Sequence, residues 1–206
     1  PNGYLIYYKN GKRSYIGMWK HGKRTGRGSN YREDGKIVSG IWKDDAIFEL
    51  DTTLTTEKGI FKGLLRNSSP QGYGEMNYFS GSQYKGDWNN GKMDGEGTFT
   101  TTTDTLIGEW KDGKLNGYGL CKTPSFLFEG DLKDNKPEGM GYIFFTDSTF
   151  YSGGWANGKM NGYGDITLSN GDTYMGNWKD DQYHGGGRYT YHTGETYDGY
   201  WKEGLG

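Results

Sequence analysis

Cysteine, long apolar runs and helical patterns are scarce or missing in this sequence, and each shortage excludes a class of protein. Among its 206 residues there is one cysteine, Cys121, which excludes an intrachain disulfide framework and fits a reducing compartment. No apolar run approaches the ~20 residues that a membrane-spanning helix requires. No segment places apolar residues at helical spacing. We therefore expect a cytoplasmic protein without a helical core.

Glycine and aromatic residues are abundant instead. The chain has 38 glycines, 18 tyrosines, 9 phenylalanines and 7 tryptophans. Disordered chains are poor in aromatic residues, and collagen needs glycine at every third position, so the composition excludes both. Because aliphatic residues are few, we expect a core made of aromatic rings that lie on glycines.

A glycine recurs along the chain at intervals of 22 or 23 residues. The recurring glycines are Gly17, Gly40, Gly63, Gly86, Gly108, Gly130, Gly153, Gly176 and Gly199. All seven tryptophans lie two residues after one of these glycines, and Leu65 and Leu132 take the two remaining places. The chain is therefore built of short sequence repeats.

Each repeat has the pattern of a β-hairpin. In residues 151–173, Tyr-x-Gly-x-Trp is followed by a polar turn ending in Gly-x-Gly, an alternating run and Asn170-Gly171. Asn-Gly flanked by alternating residues is a strong hairpin signal. The pattern predicts two strands per repeat and an all-β antiparallel meander.

Alternation explains the spacing of tyrosine, glycine and tryptophan. Residues i, i+2 and i+4 of a strand share one face, so Tyr174, Gly176 and Trp178 point the same way. We predict that the glycine leaves a trough in which a ring from a neighbouring repeat lies flat. The rings would then be the core of a sheet that has no second layer.

The repeats resemble the MORN (membrane occupation and recognition nexus) family. Residues 15–28, 84–97 and 151–164 match its signature Tyr-x-Gly-x-Trp-x-x-Gly-x-x-x-Gly-x-Gly, and 106–119 and 174–187 depart at one position each. The resemblance implies a single-layer, elongated, twisted and groove-shaped sheet of eight to nine hairpin repeats, without catalytic activity. It covers one array, 1–206, with a partial repeat 1–14, full repeats at about 15–37, 38–60, 61–83, 84–105, 106–127, 128–150, 151–173 and 174–196, and a partial repeat 197–206.

The second repeat departs most from this pattern. It keeps Trp42 but has Glu49 and Asp51 where Gly-x-Gly is expected. Its irregularity predicts either a bend in the sheet or a site shaped for a partner. Both ends of the chain stop inside a repeat, so either the array is longer or other chains complete it.

No pattern in the sequence indicates catalysis, a metal or a cofactor. His21, His184 and His192 lack metal-ligand spacing, and the first two fall in predicted turns. The Gly-x-Gly pairs precede no helix, which a phosphate-binding loop requires. We predict no catalytic residues and no enzymatic activity.

Basic residues are concentrated in the first repeat, whereas the rest of the chain is acidic. A candidate lipid-binding group consists of Lys12, Arg13, Lys20, Lys23, Arg24 and Arg27. Basic residues near an anionic membrane each contribute about 1 kcal/mol, so we expect weak membrane binding or none. A net charge of −2 without a broad basic face argues against nucleic acid.

The leading functional hypothesis is a scaffold that binds an extended or helical segment of a partner protein in its aromatic-lined groove. The groove residues are Tyr15, Trp19, Trp42, Tyr84, Trp88, Trp110, Tyr151, Trp155, Tyr174 and Trp178. Similar family members occur in radial-spoke heads and cytoskeletal rings, which favours a cytoskeletal or axonemal assembly. The alternative is a phosphoinositide-associated module or the regulatory array of a lipid-signalling protein. Tyr197 and Trp201 mark a C-terminal edge that we predict to form a homodimer or to meet a partner strand.

Overall fold

A computed structural model describes residues 1–204 and assigns them to nineteen β-strands. Their bounds are β1 Gly3–Lys9, β2 Lys12–Lys20, β3 Lys23–Tyr31, β4 Ile37–Lys43, β5 Ala46–Leu50, β6 Thr52–Thr55, β7 Gly59–Arg66, β8 Ser69–Tyr78, β9 Gln83–Asn89, β10 Lys92–Thr100, β11 Thr105–Lys111, β12 Lys114–Lys122, β13 Phe126–Lys133, β14 Lys136–Phe145, β15 Phe150–Ala156, β16 Lys159–Thr167, β17 Thr173–Lys179, β18 Gln182–Thr190 and β19 Thr196–Trp201. Within this range no helix is present.

Within each sheet, strands that follow one another in the chain pair as antiparallel neighbours, which confirms the predicted all-β meander. The strands are divided between two sheets, the first of β1–β5 and the second beginning at β6. Two compact bodies are distinguished along the chain. The N-terminal body comprises Pro1–Ser80 with Lys85–Lys92, and the C-terminal body comprises Gly81–Tyr84 with the described chain from Met93 onward.

Two kinds of turn alternate along the chain. Within a repeat, the strands are joined by two residues with positive φ, such as Asn157 at 52° and Gly158 at 82° between β15 and β16. This left-handed pair is typical of the tight turn that matches strand twist, and asparagine and glycine tolerate it best. Asn170-Gly171 lies instead in the wider connection between repeats, where Leu168 N–H donates to the Asp172 carbonyl oxygen at 2.8 Å.

The predicted irregularity of the second repeat coincides with the division between the two sheets. Its returning strand is split at Asp51 into β5, which pairs with β4, and β6, which pairs with β7. Asp51 N–H still donates to the Ser39 carbonyl oxygen at 2.9 Å, and beyond it the chain leaves β4. The structure thus shows a change in backbone pairing at this repeat, and both a bend and a partner site stay predictions.

Candidate functional site

The ring face of the sheet carries the tyrosine, glycine and tryptophan of each repeat. In the eighth repeat Tyr174 is fully buried, and Gly176 and Gly187 are paired across β17 and β18. A Cβ atom on either glycine would overlap the Tyr174 hydroxyl. The tyrosine therefore lies on the glycines of its own repeat, and the prediction of a ring from a neighbouring repeat was wrong.

The tyrosine hydroxyl binds the first strand of the repeat at the place that faces a β-bulge in the returning strand. The pairing of β15 with β16 shifts register between Gly153 and Trp155, and Tyr151 Oη donates to the Gly154 carbonyl oxygen at 2.8 Å. Tyr174 makes the same bond in its own repeat, at 2.9 Å. A bulge leaves a backbone group outside the ladder, and the hydroxyl satisfies it. Burial raises the pKa of Tyr151, so this hydroxyl stays a donor at neutral pH.

The tryptophans join successive repeats. The Tyr151 ring makes edge-to-face contacts with Trp155 of its own repeat at 5.3 Å and with Trp178 of the next at 5.2 Å. Trp178 Nε1 donates to the Gly164 carbonyl oxygen at 3.1 Å. The equivalent bond, to the second glycine of the preceding repeat, is made by Trp42, Trp88, Trp110, Trp155 and Trp201. The rings thus form rows that constitute the core.

The ten aromatic residues predicted to contact a partner lie in these rows. Nine are at most 8% exposed, namely Tyr15, Trp42, Tyr84, Trp88, Trp110, Tyr151, Trp155, Tyr174 and Trp178. Trp19 is half-buried, and its Nε1 has no hydrogen-bond partner among the described residues. Side chains buried to this extent stabilise the sheet and offer a partner little area. The partner role of these ten residues stays a prediction, and the opposite face of the strands exposes more apolar area.

The outer face, opposite the ring face, exposes apolar side chains in the C-terminal body. Ile107, Tyr118, Met140, Tyr163 and Met175 are between 43% and 63% exposed. Acidic side chains alternate with them on the same face, namely Glu96, Glu109, Glu129, Asp131 and Asp165. No salt bridge joins any of these acids to a basic group of residues 1–204. We call these ten residues the acidic–apolar strip.

A hydrogen-bonded carboxylate lies at the centre of this strip. Tyr118 Oη donates to Glu129 Oε1 at 2.6 Å, and Tyr142 Oη donates to Oε2. These bonds lower the pKa of Glu129 and raise the pKa of Tyr118 to about 12. The carboxylate consequently stays ionised at neutral pH, and the two tyrosines fix its position.

The six basic residues predicted as a lipid site do not form one surface. Lys12 and Arg13 begin β2, whereas Lys20 ends β2 and Lys23 begins β3. Three of the six form ion pairs, Lys23 with Asp44 at 3.9 Å, Arg24 with Asp45 at 3.2 Å and Arg27 with Asp51 at 2.7 Å. The Arg24 guanidinium also lies over the Trp42 ring, 4.4 Å from its centroid. An anionic headgroup would compete with these acids, which weakens the case for lipid.

The C-terminal strand β19 pairs with β18 and ends the order of strands in its sheet. Trp201 is buried, in edge contact with Tyr174 at 5.4 Å, whereas Tyr197 is 40% and Tyr200 75% exposed. Homodimer formation through this edge stays a prediction. Tyr200 is the residue to substitute in testing it, because a change at Trp201 would loosen the ring row.

The groups that could support catalysis or metal binding are isolated or neutral. Residues 1–204 contain no group of three or more His, Cys, Asp or Glu side chains placed to hold a metal ion. Burial raises the pKa of Cys121 to about 11, so its thiol is protonated at neutral pH. His192 Nδ1 lies 2.9 Å from the Asp172 carboxylate, in a contact between two turns. In the described part of the chain, no helix has the length and apolarity needed to cross a membrane.

The outer-face residues were missed in the sequence. The middle residue of each Gly-x-Gly points away from the ring face, and in three successive repeats it is Tyr118, Met140 or Tyr163. The alternation that places glycine on one face places this residue on the other. Strand alternation could therefore have identified these residues. They were missed because the repeat signature allows any residue at this position.

Comparison with protein families finds the MORN repeat at residues 15–36, 84–105, 107–125, 128–150, 151–173 and 174–196. The matched segments cover more than half of the chain, and none falls in the irregular second repeat or in the third. A search of curated proteins gave no significant match. The bulged hairpins and glycine pairs of the seventh and eighth repeats lie within matched segments, whereas Trp42 and Trp201 of the ring rows lie outside them. The chain belongs to the MORN repeat family.

Proposed function

We propose that the chain is a non-enzymatic scaffold that binds a basic, apolar segment of a partner protein on its acidic–apolar strip. The resemblance to cytoskeletal family members favours an axonemal or cytoskeletal assembly. The observation that carries the proposal is the composition of the outer face in the C-terminal body. There, exposed apolar residues such as Tyr163 and Met175 lie among acids that have no cationic partner within residues 1–204.

Contiguous exposed apolar surface is characteristic of interaction sites, and unpaired acids select a partner with complementary charge. Three basic side chains on this face are already paired with acids outside the strip, Lys111 with Asp94 at 3.0 Å, Lys114 with Asp134 at 3.3 Å and Arg188 with Asp198 at 2.6 Å. They leave the central acids uncompensated. An anionic membrane would be repelled by this surface, which favours a protein segment over lipid.

The test uses two peptides, one alternating lysine with phenylalanine and one with glutamate in place of lysine. Fluorescence anisotropy should show salt-sensitive binding of the lysine peptide alone. Asp131→Lys with Asp165→Lys should weaken that binding about 10-fold or more, because two acids of the strip become repulsive.

The matched control carries the same charge change in turns of the N-terminal body, as Glu33→Lys with Glu57→Lys. It should bind the lysine peptide like the unmodified chain. Equal weakening in both variants would show that net charge, and not the acidic–apolar strip, attracts the peptide, and would contradict the proposal.

A further inference from the structure

The N-terminal body contains a gap between the edges of its two sheets. β5 ends the strand order of the first sheet and β6 ends that of the second, so each has one edge without a partner among the described strands. The split at Asp51 leaves a cavity of about 640 Å³ between the start of β4 and β6. Its lining includes Ile37, Ser39 and Thr53. We call this cavity the fork.

The unpaired edge of β6 presents backbone groups to the fork. Thr56 N–H donates to the Gly59 carbonyl oxygen at 2.8 Å, which fixes the side of the chain that faces β7. Because hydrogen-bonded and non-hydrogen-bonded positions alternate in an antiparallel pair, Leu54 also faces β7. The N–H and C=O groups of Thr53 and Thr55 therefore point away from β7, where no strand of residues 1–204 pairs with β6. Such an edge is a template for another strand.

The opposite wall of the fork is a second unpaired edge. Asp51 N–H donates to the Ser39 carbonyl oxygen at 2.9 Å, so the backbone of Ser39 faces away from β3. Ile37, two residues earlier, faces the same way, and its side chain is 59% exposed. β5 pairs only with residues 40–43 of β4 and does not reach Ile37. Backbone groups on both walls are thus available to an added segment.

The charges at the fork favour an acidic group in that segment. The two acids of the lining are already in ion pairs, Asp51 with Arg27 at 2.7 Å and Glu75 with Lys85 at 3.8 Å. Lys36 and Lys62 also line the fork, are exposed, and form no ion pair within residues 1–204. A carboxylate placed between them would meet positive charge that the chain does not compensate.

We propose that the fork binds an extended segment of a partner protein, which adds as a strand to β6 and places one acidic side chain beside Lys36 and Lys62. Strand addition gains affinity from backbone hydrogen bonds, which Thr53 and Thr55 supply here, and specificity from alternate side chains. A cavity of about 640 Å³ along a strand of 4 residues suits small side chains such as valine, and not a phenylalanine at every second place. The glutamate–phenylalanine peptide above should therefore not bind in the fork.

The experiment adds the peptide Thr-Val-Glu-Val-Thr, with both ends blocked, to the whole chain and follows backbone amides by NMR. We expect saturable shifts and slower hydrogen exchange at Thr53 and Thr55, with a dissociation constant of about 1 mM or tighter. Thr53→Pro removes an N–H that the pairing with β7 does not use, so it should weaken binding about 10-fold or more without unfolding the sheet. Thr53→Val keeps that N–H and should leave binding unchanged.

Charge reversal provides a second variant that leaves the backbone of β6 intact. Lys62→Glu should weaken binding several-fold, and it serves if Thr53→Pro folds poorly. Lys58→Glu is the matched control, because Lys58 is exposed between β6 and β7 and does not line the fork, so binding should be unchanged.

Binding that persists in Thr53→Pro, equal binding in Lys62→Glu and Lys58→Glu, or no saturable shift at Thr53 and Thr55 would each overturn the proposal. Shifts at these amides that appear with rising protein concentration, in the absence of peptide, would assign the edge to a second copy of the chain and would also overturn it. The fork lies in the N-terminal body and takes an acidic segment, so its test can fail while binding on the acidic–apolar strip stands.

Discussion

The second and eighth repeats have the same tryptophan but different backbone pairing. Trp42 and Trp178 each donate to the glycine carbonyl oxygen of the preceding repeat, at 3.0 and 3.1 Å. The returning strand of the eighth repeat is the continuous β18, whereas that of the second is divided at Asp51. The tryptophan alone therefore does not keep the ladder continuous.

The residues beside the tryptophan account for the difference. In the eighth repeat Tyr174 covers Gly176 and Gly187. In the second repeat Val38 stands at the tyrosine position, and Gly40 is paired with Leu50 instead of a second glycine. Valine is too short to cover this pair, and Leu50 carries a side chain where the regular repeats have glycine.

The third and sixth repeats provide the converse case. They have Leu65 and Leu132 at the tryptophan position, yet their returning strands β8 and β14 are continuous. Both keep the glycine pair, Gly63 with Gly74 and Gly130 with Gly141. The fifth repeat also keeps a glycine pair, Gly108 with Gly119, and a continuous β12, although Leu106 takes the place of the covering ring. The comparison teaches that a continuous ladder goes with the glycine pair, while the tryptophan adds packing between repeats.

The largest effect is expected from breaking the glycine pair of the eighth repeat. In Gly187→Ala the new methyl group would overlap the Tyr174 hydroxyl and displace a buried ring. We expect a loss of about 3 to 4 kcal/mol in the free energy of unfolding, measured in urea.

The adjacent Gly186 provides the control, because a Cβ there meets nothing within 4 Å. Gly186→Ala should change the free energy of unfolding by no more than about 0.5 kcal/mol. Similar losses in the two variants would show that glycine matters here for strand flexibility and not for ring packing.

Removing a tryptophan should have a smaller effect and leave the ladder intact. Trp155→Leu copies the third and sixth repeats and deletes the bond to Gly141 and the ring contacts with Phe128 and Tyr151. We expect a loss of about 2 to 3 kcal/mol in urea unfolding. The backbone amides of β16 should stay protected from hydrogen exchange. Loss of that protection would show that the tryptophan is needed for the pairing of β15 with β16.

Repairing the second repeat should give a still smaller gain. Val38→Tyr with Leu50→Gly restores the tyrosine and the second glycine, and should raise the free energy of unfolding by about 1 kcal/mol through new ring contacts. Val38→Tyr alone leaves leucine instead of glycine opposite Gly40 and should give no gain. Equal gains in both variants would show that the stabilisation does not depend on the glycine pair.

The smallest effect concerns pH and the turns between repeats. Hydrogen bonds from Tyr189 Oη, at 2.7 Å, and from the His192 backbone N–H, at 2.8 Å, lower the pKa of Asp172 in the folded chain. A carboxyl with a lowered folded pKa stabilises the fold above its unfolded pKa of about 3.9, and this stability is lost as pH falls below it.

In thermal melts, the melting temperature should therefore fall less between neutral and acid pH in Asp172→Asn than in the unmodified chain. Asp34 lies in the connection between the first two repeats and is the matched control, because its carboxylate accepts the Lys36 N–H at 3.0 Å and has no tyrosine or histidine partner shown. If the melting temperature of Asp172→Asn falls with pH as much as that of the unmodified chain, Asp172 is not the source of the acid sensitivity.

Much of the ring face could be predicted from the sequence, because strand alternation assigns Tyr174, Gly176 and Trp178 to one face. Alternation does not show which ring covers which glycine, since that depends on register and on the bulge in the returning strand. The irregular second repeat was located correctly, but the consequence of Leu50 needed the pairing of β4 and β5. The strip around Glu129 was missed because the repeat signature leaves its positions unspecified.

Amide hydrogen exchange in Gly187→Ala, compared with Gly186→Ala, tests the role of the glycine pair most directly. If the pair and its covering ring maintain the ladder, Gly187→Ala should lose protection in β17 and β18 while β11–β14 keep theirs. Gly186→Ala should retain protection throughout. Full protection of β17 and β18 in Gly187→Ala would contradict the account.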